Sequence, residues 1–219
     1  MRTVRIFFTK HGRSKYISHL DLNRCMARAF RRADVPVWYT QGFNPHPHIV
    51  FAQALSLFYE SDGEIMDIRL DAEMADDEVA RRLADQMPEG IEILRVAPPV
   101  LPLSAVAAAS YRMELEFDGR PADSLRQAMA ELCTHKELLY EKKAKRGTRI
   151  IDVAAHWRAA EWQAADGLVT VRAVLPASPQ ENINPACLID VMAKYASLQP
   201  DFDQVTRTAL LDEKGQPFA

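Results

Sequence analysis

Two imidazoles, an amide and an aromatic ring are gathered in one short stretch, Gln41-Gly42-Phe43-Asn44-Pro45-His46-Pro47-His48. Each proline fixes its own φ, removes a donor and pushes the residue before it toward extended geometry. Asn44 to Pro47 is therefore expected to be a stiff, extended loop, entered through a glycine free to take a positive φ. Such a loop presents its side chains as a recognition surface does; the competing reading is a rigid turn whose histidines face water. His46 and His48, two residues apart on extended backbone, point to one side, as two metal ligands would. No carboxylate or cysteine adjoins them, and only His19 or Asp21, at the start of the preceding helix, could complete a set, so no metal is assigned. An enzyme using His46, His48 and Asp21 as acid/base or metal groups stays open as an alternative. Nucleotide-binding glycine motifs, a GxSxG nucleophile and an HExxH metal site are all missing from the chain.

Nucleic-acid contact draws on more of the sequence. Phe43 can stack on a base, Asn44 can pair with a base edge, and His46 and His48 can stack or donate. Lys15, Arg24, Arg28 and Arg31 can meet phosphate, as can the second basic run, in which Lys142, Lys143, Lys145 and Arg146 crowd together. Aromatic platforms in basic surroundings are how single-stranded or looped RNA is held.

The charge distribution agrees. The 219 residues carry a net charge of −3, yet residues 1–60 hold nine Lys/Arg against three Asp/Glu. A basic region on an acidic chain points to a local anionic partner, although a solvated helix face would look the same. Cys25, Cys133 and Cys187 are far apart and form no CxxC pair, which argues against a structural zinc or a resident iron–sulfur cluster. With no apolar run long enough to span a bilayer and no signal peptide, the chain is expected to be cytoplasmic, with reduced thiols and no membrane partner.

The elements that position these residues can be read from periodicity. Val4, Ile6 and Phe8 alternate as a strand, and Lys10 to Ile17 reads as a loop. Ser18 then caps a helix running to about Ala33, with Asp21 reaching back to it. Leu22, Cys25, Met26, Ala29, Phe30 and Ala33 make its core face, while Arg24, Arg28 and Arg31 share an arc about 60° wide, with Arg32 at its edge. Ile49 to Phe51 opens a second strand, Ser61-Asp62-Gly63 a turn, and Met66, Ile68 and Leu70 a third strand. A helix over Ala75–Met87 and a strand through Ile91 and Ile93 complete the order β-α-β-β-α-β. Proline-rich residues 98–105 read as a connection between domains 1–97 and 106–219. The second domain repeats the order, with strands at Tyr111–Phe117, Leu138–Tyr140, Val169–Ala173 and Val205–Leu211 and helices at Pro121–Cys133 and from Asn184-Pro185. Between its second and third strands lies an insertion, in which the basic run Lys142–Arg149 reads as a hairpin loop or edge, Ile150–Val153 resumes, and His156–Trp162 reads as a short helix or wide turn. The fold class is α+β, two ferredoxin-like halves with antiparallel sheets.

Several of these segments carry a family likeness. Lys10-x-Gly12, Tyr16-Ile17-Ser18-His19-Leu20-Asp21-Leu22, Arg28-Ala29-Phe30-Arg31-Arg32-Ala33 and Gly42-Phe43-Asn44-Pro45-His46-Pro47 resemble the bacterial radical-SAM-linked family of unknown function. Its members occur fused to a radical SAM protein or encoded beside one. This chain departs from the usual pattern at Phe58, where a glycine is usual, and at His48, where a basic residue is usual. The element order, with Met87-Pro88-Glu89-Gly90-Ile91-Glu92-Ile93 and Tyr111, is also similar to tRNA pseudouridine synthases of two ferredoxin-like halves. Their catalytic aspartate lies in the loop that here carries Asn44, so an RNA cleft is implied without the isomerase chemistry. Together the resemblances imply an RNA-binding accessory protein that presents tRNA or rRNA to a radical SAM partner. It would have no cofactor of its own, and the iron–sulfur cluster and S-adenosylmethionine would be on the partner. A docking module that reads no RNA is the remaining alternative.

Overall fold

The computed structural model describes residues 1–144 and 147–218, Lys143 and Ala144 in backbone only. Mostly antiparallel strands and, among the described residues, five α-helices make a mixed α+β fold. The chain divides into two compact units, Met1–Ala107 with Arg207–Ala219, and Ala108–Thr206. Residues 207–219 thus group with the first unit and not with the segment that precedes them.

In the first unit, β1 (Arg2–Lys10) lies between β4 (Ile93–Ala97) and β3 (Glu60–Leu70), and the short β2 (Ile49–Phe51) pairs with β3. Val4, Ile6 and Phe8 stand opposite Ile68, Met66 and Glu64. Strand side chains alternate between faces, so the apolar ones share one side of the sheet. Against it pack Leu22, Met26, Ala29 and Phe30 of α1 (His19–Arg32) and Val79 and Leu83 of α2 (Asp76–Ala84), all buried. On the opposite side, Arg5 is fully buried: its guanidinium grips Asp67 through Nε at 2.8 Å and Nη2 at 2.9 Å, donates to the Leu101 carbonyl and lies 4.9 Å from the Phe218 ring.

Two segments of this unit differ from what the sequence pattern predicts. The expected loop from Lys10 is strand through Lys10 and then a 3₁₀ turn, Gly12–Tyr16. The expected turn at Ser61-Asp62-Gly63 lies within β3. Its polar residues are kept in the sheet by partners: Ser61 stands opposite Lys10 and donates its hydroxyl to the Arg207 carbonyl.

In the second unit, β5 (Ala108–Glu116) pairs along its whole length with β9 (Leu168–Pro176), which pairs in turn with β8 (Glu161–Ala165). The last strand, β10 (Phe202–Leu211), neighbours β5, and only its residues 202–206 belong to this unit. Three helices accompany these strands: α3 (Ala122–Thr134), α4 (Ala154–Ala159) and α5 (Ala186–Ala196). The Asn184 side chain accepts from the Ala186 N–H and so satisfies an orphan donor at the start of α5. Between α3 and α4, β6 (Leu139–Ala144) and β7 (Gly147–Asp152) form a separate hairpin, so the strand expected at Leu138–Tyr140 does not join β5 and β9; β8 is the strand beside β9 instead. The short helix or wide turn expected over 156–162 is α4 only as far as Ala159. Trp162 already belongs to β8, whose residues alternate half-buried and exposed.

Candidate functional site

The candidate groups of the first unit occupy three neighbourhoods along the chain, beginning with the loop. The Thr40 N–H donates to the His46 carbonyl at 2.9 Å, the His46 N–H to Thr40 Oγ1 at 3.2 Å, and the His48 N–H to the Trp38 carbonyl at 2.9 Å. The tip is therefore closed on itself, with Gly42 at φ +135° where the chain turns. His46 Nδ1 lies 3.1 Å from both the Asn44 carbonyl and Thr40 Oγ1. A carbonyl only accepts, so Nδ1 is the donor in the bond to Asn44. His48 is half-buried, with its ring 5.7 Å from Trp38, which also lies under the Arg69 guanidinium. The two histidines thus have different surroundings: one is displayed and the other is packed. Phe43 is fully exposed and Asn44 is exposed beside it.

The second neighbourhood is the outer face of α1. Ser18 Oγ accepts from the Asp21 N–H and donates to the Asp21 carboxylate, which also receives Arg24 Nη1 at 2.9 Å. Those two side-chain hydrogen bonds, from Ser18 and then Arg24, hold the Asp21 carboxyl below its ordinary pKa. Asp21, Arg24, Cys25, Arg28 and Arg32 line a depression of about 360 Å³. The arginines are four residues apart, so they rise along the helix by about 6 Å per step. Arg32 is held by Gln86 through Nε and Nη2, whereas Arg28 and Arg31 meet no acceptor among the described residues. Arg31 is exposed but does not line the depression; Arg32, expected at the edge of the stripe, does. Burial pushes the Cys25 thiol up, opposed by the charges of Arg32 and Arg28.

The third neighbourhood was not singled out from the sequence. Glu64 and Arg207 are almost fully buried and joined through two guanidinium nitrogens, Nη2 at 2.5 Å and Nε at 2.9 Å. Arg207 also donates to the Gln53 carbonyl, and its charge and that of Glu64 act on two further groups, Lys10 and His19. Lys10 is buried, with Nζ 3.3 Å from the Lys15 and Tyr59 carbonyls, and desolvation lowers its pKa. His19 packs 4.9 Å from the Phe51 ring and is likewise lowered by burial. Lys10 and Glu64 fall on the inward phase of their strands, at positions otherwise filled by Phe8 and Met66. That signal was present in the sequence. Of the acidic residues that could have paired with the arginine stripe, Asp21 does so, whereas Asp67 and Glu64 are taken by Arg5 and Arg207.

Lys15 lies on the 3₁₀ turn, with Nζ 5.7 Å from the Tyr16 ring centre. In the second unit, Lys142 donates to the Asn182 carbonyl at 3.0 Å and, with Arg149 and residues 179–183, lines a depression of about 210 Å³. Lys145, Arg146 and the Lys143 side chain lie outside the described residues. No group of three or more His, Cys, Asp or Glu is placed to hold a metal among the described residues. Nor is any helix there long and apolar enough to cross a membrane.

Fold and site together define a mixed α+β protein whose first unit carries exposed arginines on a helix face and, separately, an exposed loop closed on itself by Thr40. The chain belongs to the family described as "uncharacterized protein conserved in bacteria" (DUF2344), whose sequence profile matches residues 3–185. No curated protein matches the chain.

Proposed function

We propose that this protein binds RNA as an accessory of a radical SAM enzyme, presenting tRNA or rRNA for modification in the cytoplasm. In this reading the chain needs no cofactor of its own, and the iron–sulfur cluster and S-adenosylmethionine belong to the partner. Each unit is read as a ferredoxin-like half, the second with β6, β7 and α4 as its insertion. The strand neighbours β4-β1-β3-β2 and β10-β5-β9-β8 support that reading. The radical SAM partner rests on the motif resemblance, and the RNA on the site.

The observation that carries the RNA reading is the depression lined by Arg24, Arg28 and Arg32. Guanidinium groups match phosphate in shape and stay charged. An α-helix needs far fewer basic residues for its dipole or for solubility. Anisotropy titration of a labelled single-stranded RNA against salt tests it. The affinity should fall steeply with salt as counterions are released, and Arg24→Ala with Arg28→Ala should flatten the log–log slope by about 0.7 for each phosphate that is no longer neutralised. The thermal midpoint should barely move, because exposed ion pairs contribute little to stability. A large loss of stability with unchanged RNA affinity would reject the reading and make the arginines structural.

A further inference from the structure

Just ahead of the arginine stripe lies an apolar surface that neither the loop nor the arginines account for. Tyr16 is 63% exposed, Phe58 58% and Leu20 69%. The two aromatic rings meet edge to face, with centroids 5.9 Å apart and planes at 76°. Phe58 has φ +72°, a left-handed conformation that a bulky residue adopts only when its surroundings hold it there. Its N–H donates to the Lys15 carbonyl at 2.9 Å, so the 3₁₀ turn carrying Tyr16 and the bend carrying Phe58 are tied together. Burying a ring in a core would explain such strain, but both rings face solvent.

Charge and helical geometry indicate what covers them. Lys15 Nζ lies over the Tyr16 ring, and Arg13, on the same turn, is exposed. Leu20 precedes Arg24 by four residues, so on the helix it is only about 40° from Arg24 and about 80° from Arg28. Along the chain the exposed side chains therefore pass from Tyr16, which carries Phe58 with it, through one aliphatic residue at the start of α1 to a row of guanidinium groups on the same helix. A protein partner would complement apolar side chains without needing that row. A nucleic acid strand has an aromatic base for the rings and phosphates for the arginines.

We propose that Tyr16 and Phe58 form a base-stacking platform for an unpaired nucleotide of RNA whose adjoining phosphates lie along Arg24 and Arg28. This rests on the RNA reading above and adds where a base is held.

Phe58→Gly is a discriminating variant, because it removes the ring and relieves the left-handed strain at once. Binding of a fluorescein-labelled single-stranded oligouridylate is measured by anisotropy at several salt concentrations, for the wild type, Phe58→Gly, Tyr16→Ser and Arg24→Ala/Arg28→Ala. Removing a stacking ring should weaken binding roughly ten- to hundredfold in Phe58→Gly and Tyr16→Ser while leaving the salt slope unchanged. The arginine variant should flatten the slope. Phe58→Gly should also melt no lower than the wild type, so its weaker binding cannot be put down to misfolding. Wild-type affinity in both ring variants, with the arginine variant impaired, overturns the platform and leaves the RNA reading standing. No binding by the wild type overturns both. Undiminished RNA binding with lost co-purification of the co-expressed radical SAM protein also overturns the platform, and assigns the rings to a protein interface.

Discussion

Glu64→Gln should destabilise the first unit by about 3–5 kcal/mol, the typical cost of breaking a buried ion pair by removing one partner. The Glu64 and Arg207 side chains are only 2% and 1% exposed. The carboxylate faces the Arg207 guanidinium directly, and its charge also favours the buried ammonium of Lys10. Neutralising it leaves two cations in the interior, one of them already disfavoured by desolvation. The Gln53 and Ala54 carbonyls accept from Arg207 but cannot compensate a full charge. Urea denaturation followed by tryptophan fluorescence should show a lower midpoint at an unchanged slope. Glu64→Leu combined with Arg207→Met should recover much of the loss, because removing both charges spares the desolvation of each. The recovery should be incomplete, since Lys10 would then lack its largest favourable charge. A loss below about 1 kcal/mol for Glu64→Gln would instead mean that water reaches the pair.

How far these features could be read in advance depended on whether their cause was local. Helix α1 was legible because its signals are close in sequence: Ser18 caps it, Asp21 follows three residues later, and Leu22, Met26, Ala29 and Phe30 recur with the helical period. The positive φ at Gly42 was legible in the sequence of the 41–48 loop, but its closure on Thr40 and the unlike environments of His46 and His48 were not. Those depend on Thr40 and Trp38, in the segment between α1 and the loop, against which the loop folds back. Strand β8 was missed because Ala164 and Ala165 carry little strand preference and Trp162 looked like the end of a helix; pairing with β9 decides it. The buried cluster was missed for the opposite reason. Lys10, Glu64 and Arg207 are each ordinary surface residues by type, and Glu64 and Arg207 meet across a sequence separation of 143. No local pattern encodes that meeting. Only the inward phase of Lys10 and Glu64 hinted at it.

Gly90→Ala should be the most damaging glycine substitution in the first unit, and it acts through the turn that carries Lys15 and Tyr16. Gly90 has φ +86°, and a Cβ built there would lie 2.2 Å from the His11 carbonyl oxygen and 3.2 Å from Ser14 Cβ and Oγ. These neighbours cannot easily retreat. The His11 N–H donates to the Gly90 carbonyl at 2.7 Å, Ser14 Oγ donates to the same carbonyl at 3.1 Å, and Ser14 is buried. Strain at a positive φ costs about 1–3 kcal/mol, and overpacking against backbone about 1–3 kcal/mol more. Gly42→Ala is the internal control, since φ is again positive but nothing lies within 4 Å of the added carbon. It should lose only the strain contribution, about 1–3 kcal/mol. Urea midpoints for the two variants separate the contributions. If Gly90→Ala displaces the 3₁₀ turn, the Tyr16 and Phe58 rings should part as well, and oligouridylate affinity measured well below the melting midpoint should fall with it. Equal losses of stability in the two variants would mean that His11 and Ser14 yield to the methyl group and that the turn is not anchored at Gly90.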